Sequence, residues 1–290
     1  MNPDHPRLLL VAPVLFLILW SGGFVVAKSG LAYAEPMTFL ALRYALVVVI
    51  MAVFYVVLKP PLPAHPMEWI HLAVVGFLLQ VVYFGLTYLG FSAGIAAGTM
   101  ALVMSLQPVL VGLMAPRWAG EQVGWQRWLG LALGLIGTAV VVISRLEVES
   151  PTVFGFSCAV IALLGITGAT LWEKKFGLAH HPVTANLIGY VAGLAGVIPV
   201  MLLTESMHID WSVAFIGSLA YLVIGNSVIA IGLLLAMIRA GDVSRVSALF
   251  FLVPPLAACL AWLVLKESMP PAAWAGMAIA AAGVFIATRK

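Results

Sequence analysis

The chain has 290 residues, 63% of them hydrophobic and 9% charged, with a formal net charge of +3. An average soluble domain is about 45–50% apolar and about 25% charged, so this composition excludes a water-soluble globular fold and points to an integral membrane protein with the lipid bilayer as its solvent. Most basic residues sit in short segments between apolar runs, where they set orientation, and nucleic acid is not an expected partner.

Ten apolar spans follow in chain order, at residues 8–27, 37–58, 69–91, 96–115 and 125–144, then 152–172, 183–203, 211–238, 243–265 and 271–287. Each approaches the length of about 20 residues that crosses a hydrocarbon core of about 30 Å. The first begins after Arg7 and reaches small residues at Ser21, Gly22 and Gly23, like a signal peptide. It also has a later counterpart in the chain, so it is read as a retained span. Between His71 and Arg117 no charge occurs over 45 positions. One helix of that length would run roughly 68 Å, about twice a bilayer, so a turn must divide it.

The organising pattern is an internal repeat. Shifted by 147 positions, Gly85, Leu86, Ala93, Gly94, Ala101, Leu102, Pro108 and Leu113 fall on Gly232, Leu233, Ala240, Gly241, Ala248, Leu249, Pro255 and Leu260. Shifted by 146, Glu121, Trp128, Gly130, Ala132 and Gly137 fall on Glu267, Trp274, Gly276, Ala278 and Gly283. The charged segment Arg239-Ala240-Gly241-Asp242 marks its uncharged copy, Ser92-Ala93-Gly94-Ile95, as the dividing turn. Weaker matches upstream, Lys28 and Gly30 on Lys175 and Gly177, extend each copy to five spans. The expected fold is all-α, with ten transmembrane helices in two five-helix repeats, residues 8–144 and 152–288. Five is odd, so the second repeat enters the membrane from the opposite side, an inverted-topology pair. With the N-terminus in the cytoplasm, ten Lys and Arg residues lie on the cytoplasmic side and three, Lys28, Arg145 and Lys266, on the other. That bias places both termini in the cytoplasm.

No GxGxxG, Walker, HExxH or CxxC pattern occurs in a credible context, so neither an enzyme nor a bound cofactor or metal is expected. Cys158 and Cys259 lie in apolar runs and read as buried, inert thiols. The informative residues are polar or helix-distorting groups at mid-membrane depth, where they are expensive. Pro108 in the fourth span, and Pro254 with Pro255 in the ninth, are expected to kink both helices at equivalent depth, as fixed bends or as flexing walls of a cavity. Gln80 is equivalent to the Asn226-Ser227 pair, and Trp20 with Ser21 to Thr167 with Gly168. With Ser105 and Tyr83 they outline either interhelical bonds or a neutral, polar substrate chamber with aromatic walls.

Arg43 is the charged residue well inside a span. It either snorkels or pairs with a loop acid such as Glu35, or it stands as counter-charge to a substrate carboxylate. All eleven acidic residues fall in loops or termini, leaving none at mid-membrane to carry a coupling proton. Gly130, Gly134 and Gly137, echoed by Gly276, Ala280 and Gly283, form a small-residue seam for packing within the chain or in a dimer. Glu121 and Glu267 read as loop or helix-end acids.

The segment from Trp20 to Lys28, the Leu42-Arg43 pair, Pro108 with Glu121 and Gly130, and the second copy at Pro255, Glu267 and Gly276 resemble the EamA repeats of the drug/metabolite transporter superfamily. Within it the chain is most similar to the YddG-type amino-acid exporters. The resemblance implies a bacterial inner-membrane transporter, monomer or homodimer, that exports aromatic and other neutral amino acids by alternating access through a midplane cavity. Many EamA repeats carry a Glu before the mid-helix proline, where this chain has Gln107 and Pro254, so a facilitative or weakly coupled exporter is expected. Efflux of lipophilic cations or another metabolite, and a non-transporting membrane scaffold, stand as the alternatives.

Overall fold

Backbone inside a bilayer must satisfy its own hydrogen bonds, and the apolar runs do so as helices in the computed structural model, which describes residues 6–107, 110–114, 125–146, 152–176, 180–230, 233 and 252–288. The helices are α1 (Pro6–Gly30), α2 (Pro36–Leu58), α3 (Pro66–Gly76), α4 (Leu86–Ser92), α5 (Ala97–Met104), α6 (Trp125–Leu146), α7 (Val153–Phe176), α8 (Pro182–Thr204), α9 (Val213–Ala220), α10 (Val253–Leu265) and α11 (Pro271–Thr288). Among the described residues there is no strand, only an isolated bridge between Ala34 and Ile209. Among the described residues six stretches are long and apolar enough to cross a membrane: Val11–Gly30, Pro36–Leu58, Pro66–Ser92, Val153–Glu173, Pro182–Thr204 and Val213–Ala230. Trp128–Val141, Val253–Leu265 and Pro271–Gly283 are shorter apolar helical stretches. The protein is a multi-pass, all-helical membrane protein.

Local sequence explains where several helices begin. Pro36, Pro66 and Pro182 open α2, α3 and α8, positions where a fixed φ is already helical and the missing N–H has no intrahelical partner to lose. The residues before α2 and α5, Glu35 and Ala96, give no side-chain cap. The caps come from distant carboxylates: Glu205 accepts from the Met37 and Thr38 amides at 2.7 Å each, and Glu267 accepts from the Ala97 amide at 2.8 Å and from Lys28 Nζ at 3.0 Å. Glu267 therefore sits at a helix end, as expected, but the end is that of α5, far away in sequence; Glu121 lies outside the described residues.

The turn expected at residues 92–95 is present. Gly94 takes a φ of 97° and the Ile95 amide donates back to the Gly90 carbonyl at 3.0 Å, a left-handed helix stop that a residue with a Cβ adopts only under strain. The charged copy of this turn, Arg239 to Asp242, lies outside the described residues.

Of the prolines expected to kink the spans, Pro254 and Pro255 fall within the described residues. Pro254 and Pro255 stand in the first turn of α10, which starts at Val253, so the described helix has no i−4 bond there to break. In the fourth span α5 ends at Met104, and the Ser105 and Leu106 amides donate to the Leu102 and Val103 carbonyls at 3.0 and 3.1 Å. The helix thus tightens before Gln107; Pro108 itself lies outside the described residues. The distortions in the third and eighth spans come without proline. Phe77–Gly85, between α3 and α4, and Tyr221–Ala230, following α9, are π-helical, a rare geometry concentrated at functional sites.

Packing uses small residues where backbones touch. A Cβ on Gly137 would strike the Ala280 amide nitrogen, and one on Gly283 the Gly134 nitrogen, so the expected seam is internal and joins α6 to α11. Elsewhere α2 packs on α8, α1 on α10 and on the second π stretch, and α7 on the first π stretch. The ends gather by face: Tyr33 accepts from the Asp210 amide at 2.7 Å, Lys28 meets Glu267, and the Thr152 hydroxyl donates to the Ala93 carbonyl at 3.3 Å. At the other end the Thr184 hydroxyl donates to the Pro61 carbonyl at 3.1 Å. Large apolar side chains such as Val56, Val57, Leu203 and Val213 point outward and stay exposed, as a lipid-facing surface requires.

Candidate functional site around Arg43

Helix α2 lies deep in the bundle, with Phe39, Leu40, Arg43, Tyr44 and Val47 buried along it. The i, i+3, i+4 and i+7 spacing turns these side chains to one face, and Arg43 goes inside with its apolar neighbours. Its exposure is 1%, so it neither snorkels nor reaches Glu35. Glu35 instead accepts from the Ser206 hydroxyl at 3.0 Å and the His208 amide at 3.3 Å in the loop after α8.

Arg43 is held by neutral groups from two other elements. Its Nη1 donates to the Tyr88 hydroxyl at 3.2 Å, and its Nη2 donates to Asn226 Oδ1 at 3.1 Å and Ser227 Oγ at 3.0 Å. The guanidinium carbon lies 4.9 Å from the centre of the Phe84 ring, within cation–π range. Among the described residues no carboxylate stands against it. The Tyr190 hydroxyl donates to Ser227 Oγ at 3.1 Å, and Tyr44 beside Arg43 donates to the Gln80 carbonyl at 2.8 Å.

A small cavity opens beside this group. Arg43, Thr87 and Asn226 are its polar lining, and Trp20, Phe24, Tyr83, Phe84, Tyr88 and Phe91 supply aromatic walls. Of the side chains expected to bind substrate, Trp20, Tyr83 and Asn226 line it, and Ser227 reaches it through Arg43. The remaining four lie elsewhere. Ser21 is fully buried with its hydroxyl unpartnered. Gln80 packs where Gly193 of α8 leaves room. Ser105 and Thr167 turn their hydroxyls back on their own helices, donating to the Leu102 and Leu163 carbonyls at 2.6 and 2.7 Å. The chamber is consequently positive, where a neutral one was expected.

Sequence reasoning missed Phe84, Thr87, Tyr88 and Phe91. Their signal was present: positions 84, 87, 88 and 91 form an i, i+3, i+4, i+7 stripe of polar and aromatic residues on one helix face. Among the described residues no cluster of His, Cys, Asp and Glu suited to a metal occurs.

The EamA-like transporter family matches the chain twice, over residues 8–143 and 151–289. The uncharacterized transporter YvbV of Bacillus subtilis is 27% identical over 99% of this chain and 93% of its own length. The probable amino-acid metabolite efflux pump of Escherichia coli is 24% identical over 95% of this chain and 93% of its own. A solved crystal structure, 18% identical, shares the fold with a TM-score of 0.65 over 96% of this chain and 95% of that one. With both halves of the chain matched, the protein belongs to the EamA-like transporters of the drug/metabolite transporter superfamily.

Proposed function

We propose that this transporter exports amino acids, aromatic and other neutral ones, from the bacterial cytoplasm across the inner membrane by alternating access through the Arg43 cavity. The observation that carries the reading is an aromatic-walled cavity whose guanidinium has, among the described residues, no protein carboxylate beside it. A substrate carrying a carboxylate and an apolar side chain supplies both missing partners. The name of the Escherichia coli relative agrees with it. A lipophilic cation would be repelled by Arg43, since like charges a few ångströms apart at low dielectric interact by several kcal/mol.

Two inverted repeats, residues 8–144 and 152–288, are the proposed moving parts. In support, the start of α7 at Thr152 touches the Ala93 turn, at the bundle end where α1 finishes and opposite to where it starts. The positive-inside bias then puts both termini in the cytoplasm. No Asp or Glu lines the cavity among the described residues, and Gln107 is occupied, its Nε2 donating to Thr170 Oγ1 at 2.9 Å. Both observations favour facilitative transport over proton coupling. The test is counterflow into liposomes of purified protein loaded with unlabelled phenylalanine, with and without a pH gradient. Labelled phenylalanine should accumulate transiently without the gradient; no counterflow of any amino acid would overturn the reading, and counterflow only with a gradient would overturn the coupling part.

A further inference from the structure

We infer that the cavity reads its substrate through the carboxylate alone, held by Arg43 and Thr87, and leaves the amine unread, so that apolar carboxylic acids without an α-ammonium group enter the same site. The inference rests on the Arg43 cavity being the transport site. A guanidinium has five N–H donors, and the three bonds to Tyr88, Asn226 and Ser227 leave Nε–H and one Nη1–H unfilled. Nε is buried and has no partner. Thr87 lines the same cavity with an exposure of 2%, and its hydroxyl is also buried and unpartnered. Unfilled donors in a low-dielectric interior are unfavourable, and a carboxylate offers acceptors for several at once.

The amine finds no such reception. An ammonium brings three donors and no acceptor. Asn226 is already engaged at both ends: Oδ1 accepts from Arg43 and Nδ2 donates to the Leu19 carbonyl at 3.3 Å. With no Asp or Glu among the described lining residues, the ammonium meets ring faces and neutral oxygens, several already bonded to Arg43, in a chamber that already carries a like charge.

The experiment is competition against labelled phenylalanine counterflow by phenylalanine, 3-phenylpropionate, phenylalanine methyl ester and phenethylamine. The acid without an amine should compete within about threefold of phenylalanine, and the ester and the amine at least about tenfold more weakly, the loss expected for a bond to a charged group. Thr87→Val, which keeps the side-chain shape, should weaken both carboxylates by about tenfold and leave the ester unchanged. Arg43→Lys, which removes Nε–H and keeps the charge, should weaken them too, provided the variant elutes as a monodisperse species. An ester or amine that competes like the acid, a 3-phenylpropionate that fails to compete, or a Thr87→Val protein with unchanged competition would overturn the inference. If phenylalanine is not carried at all, thermal stabilisation of the detergent-solubilised protein by 3-phenylpropionate over its ester reads the carboxylate site separately from the transport reading.

Discussion

Removing the carboxylate of Glu267 should loosen the start of α5 more than it disturbs the ion pair it makes with Lys28. Glu267 accepts from the Ala97 amide at 2.8 Å, from the Gly98 amide at 3.4 Å and from Lys28 Nζ at 3.0 Å. The carboxylate side chain is 10% exposed and the lysine 26%, so the helix-end contacts lie in the drier environment. A charged hydrogen bond contributes about 1.5–3 kcal/mol and the dipole at a helix start a further 0.3–1 kcal/mol or so, whereas a partly wetted pair gives about 0.2–1 kcal/mol. Glu267→Ala should therefore cost about 2–3 kcal/mol, Glu267→Gln about 1 kcal/mol because its amide oxygen still accepts, and Lys28→Met less than about 1 kcal/mol. At about 2–4 °C per kcal/mol for a long chain, the melting temperature in one detergent should fall in the order Ala, then Gln, then Met. A Lys28→Met protein that melts below Glu267→Ala would show the ion pair to be the larger contributor, and an unshifted Glu267→Ala would refute the cap.

Gly137→Leu should prevent α6 and α11 from closing, because the new Cβ meets backbone atoms of Ala280 and Gly276 that cannot move aside; overpacking of this kind costs about 1–3 kcal/mol, read as lost monodispersity and a lower melting temperature. Asn226→Asp would place a carboxylate against Arg43 and occupy the site of the substrate's own, so counterflow of phenylalanine should fall at least about tenfold while the protein still folds; unchanged transport would remove Arg43 from the site. At Glu35, desolvation pushes the carboxyl up, but hydrogen bonds from the Ser206 hydroxyl and the Ser206, His208 and Met207 amides outweigh it and hold it below its usual value. A depressed folded-state value gives stability that is complete above the ordinary carboxylate range and lost as pH falls through the depressed one, so the melting difference between wild type and Glu35→Gln should shrink on acidification.

The helical class and the turn at Gly94 were legible because they depend on composition, length and a glycine's conformational freedom, all local properties. The seam of Gly130, Gly134 and Gly137 with Gly276, Ala280 and Gly283 was legible as packing because only small side chains let backbones touch. Arg43 was visible as the charge inside a span, but which way it pointed was not. That choice depends on hydroxyl and amide acceptors from residues 45 to 184 positions away, and nothing near Arg43 in the chain encodes it. Proline drew attention as the helix breaker, while the π stretches at Phe77–Gly85 and Tyr221–Ala230 carry no proline. Both stretches are tied to α2 by tertiary bonds, which no single-helix propensity reports.

Those bonds explain how one uncompensated charge is tolerated in the bundle. On insertion scales an arginine at the membrane centre costs about 2.5–3.5 kcal/mol, and in simulations of isolated helices far more, so Arg43 needs acceptors in several directions. In a regular α-helix consecutive side chains diverge by about 100°, which would turn Asn226 and Ser227 to different neighbours. A π turn spreads one hydrogen bond over five residues and so reduces that divergence, and here both side chains reach the same Nη2, at 3.1 and 3.0 Å. The next residue of α2 does the same for the other half: Tyr44 bonds the Gln80 carbonyl of the first π stretch at 2.8 Å and meets Tyr190 edge-on, whose hydroxyl returns to Ser227. Arg43 and Tyr44 thus connect the two distorted helices through one turn of α2.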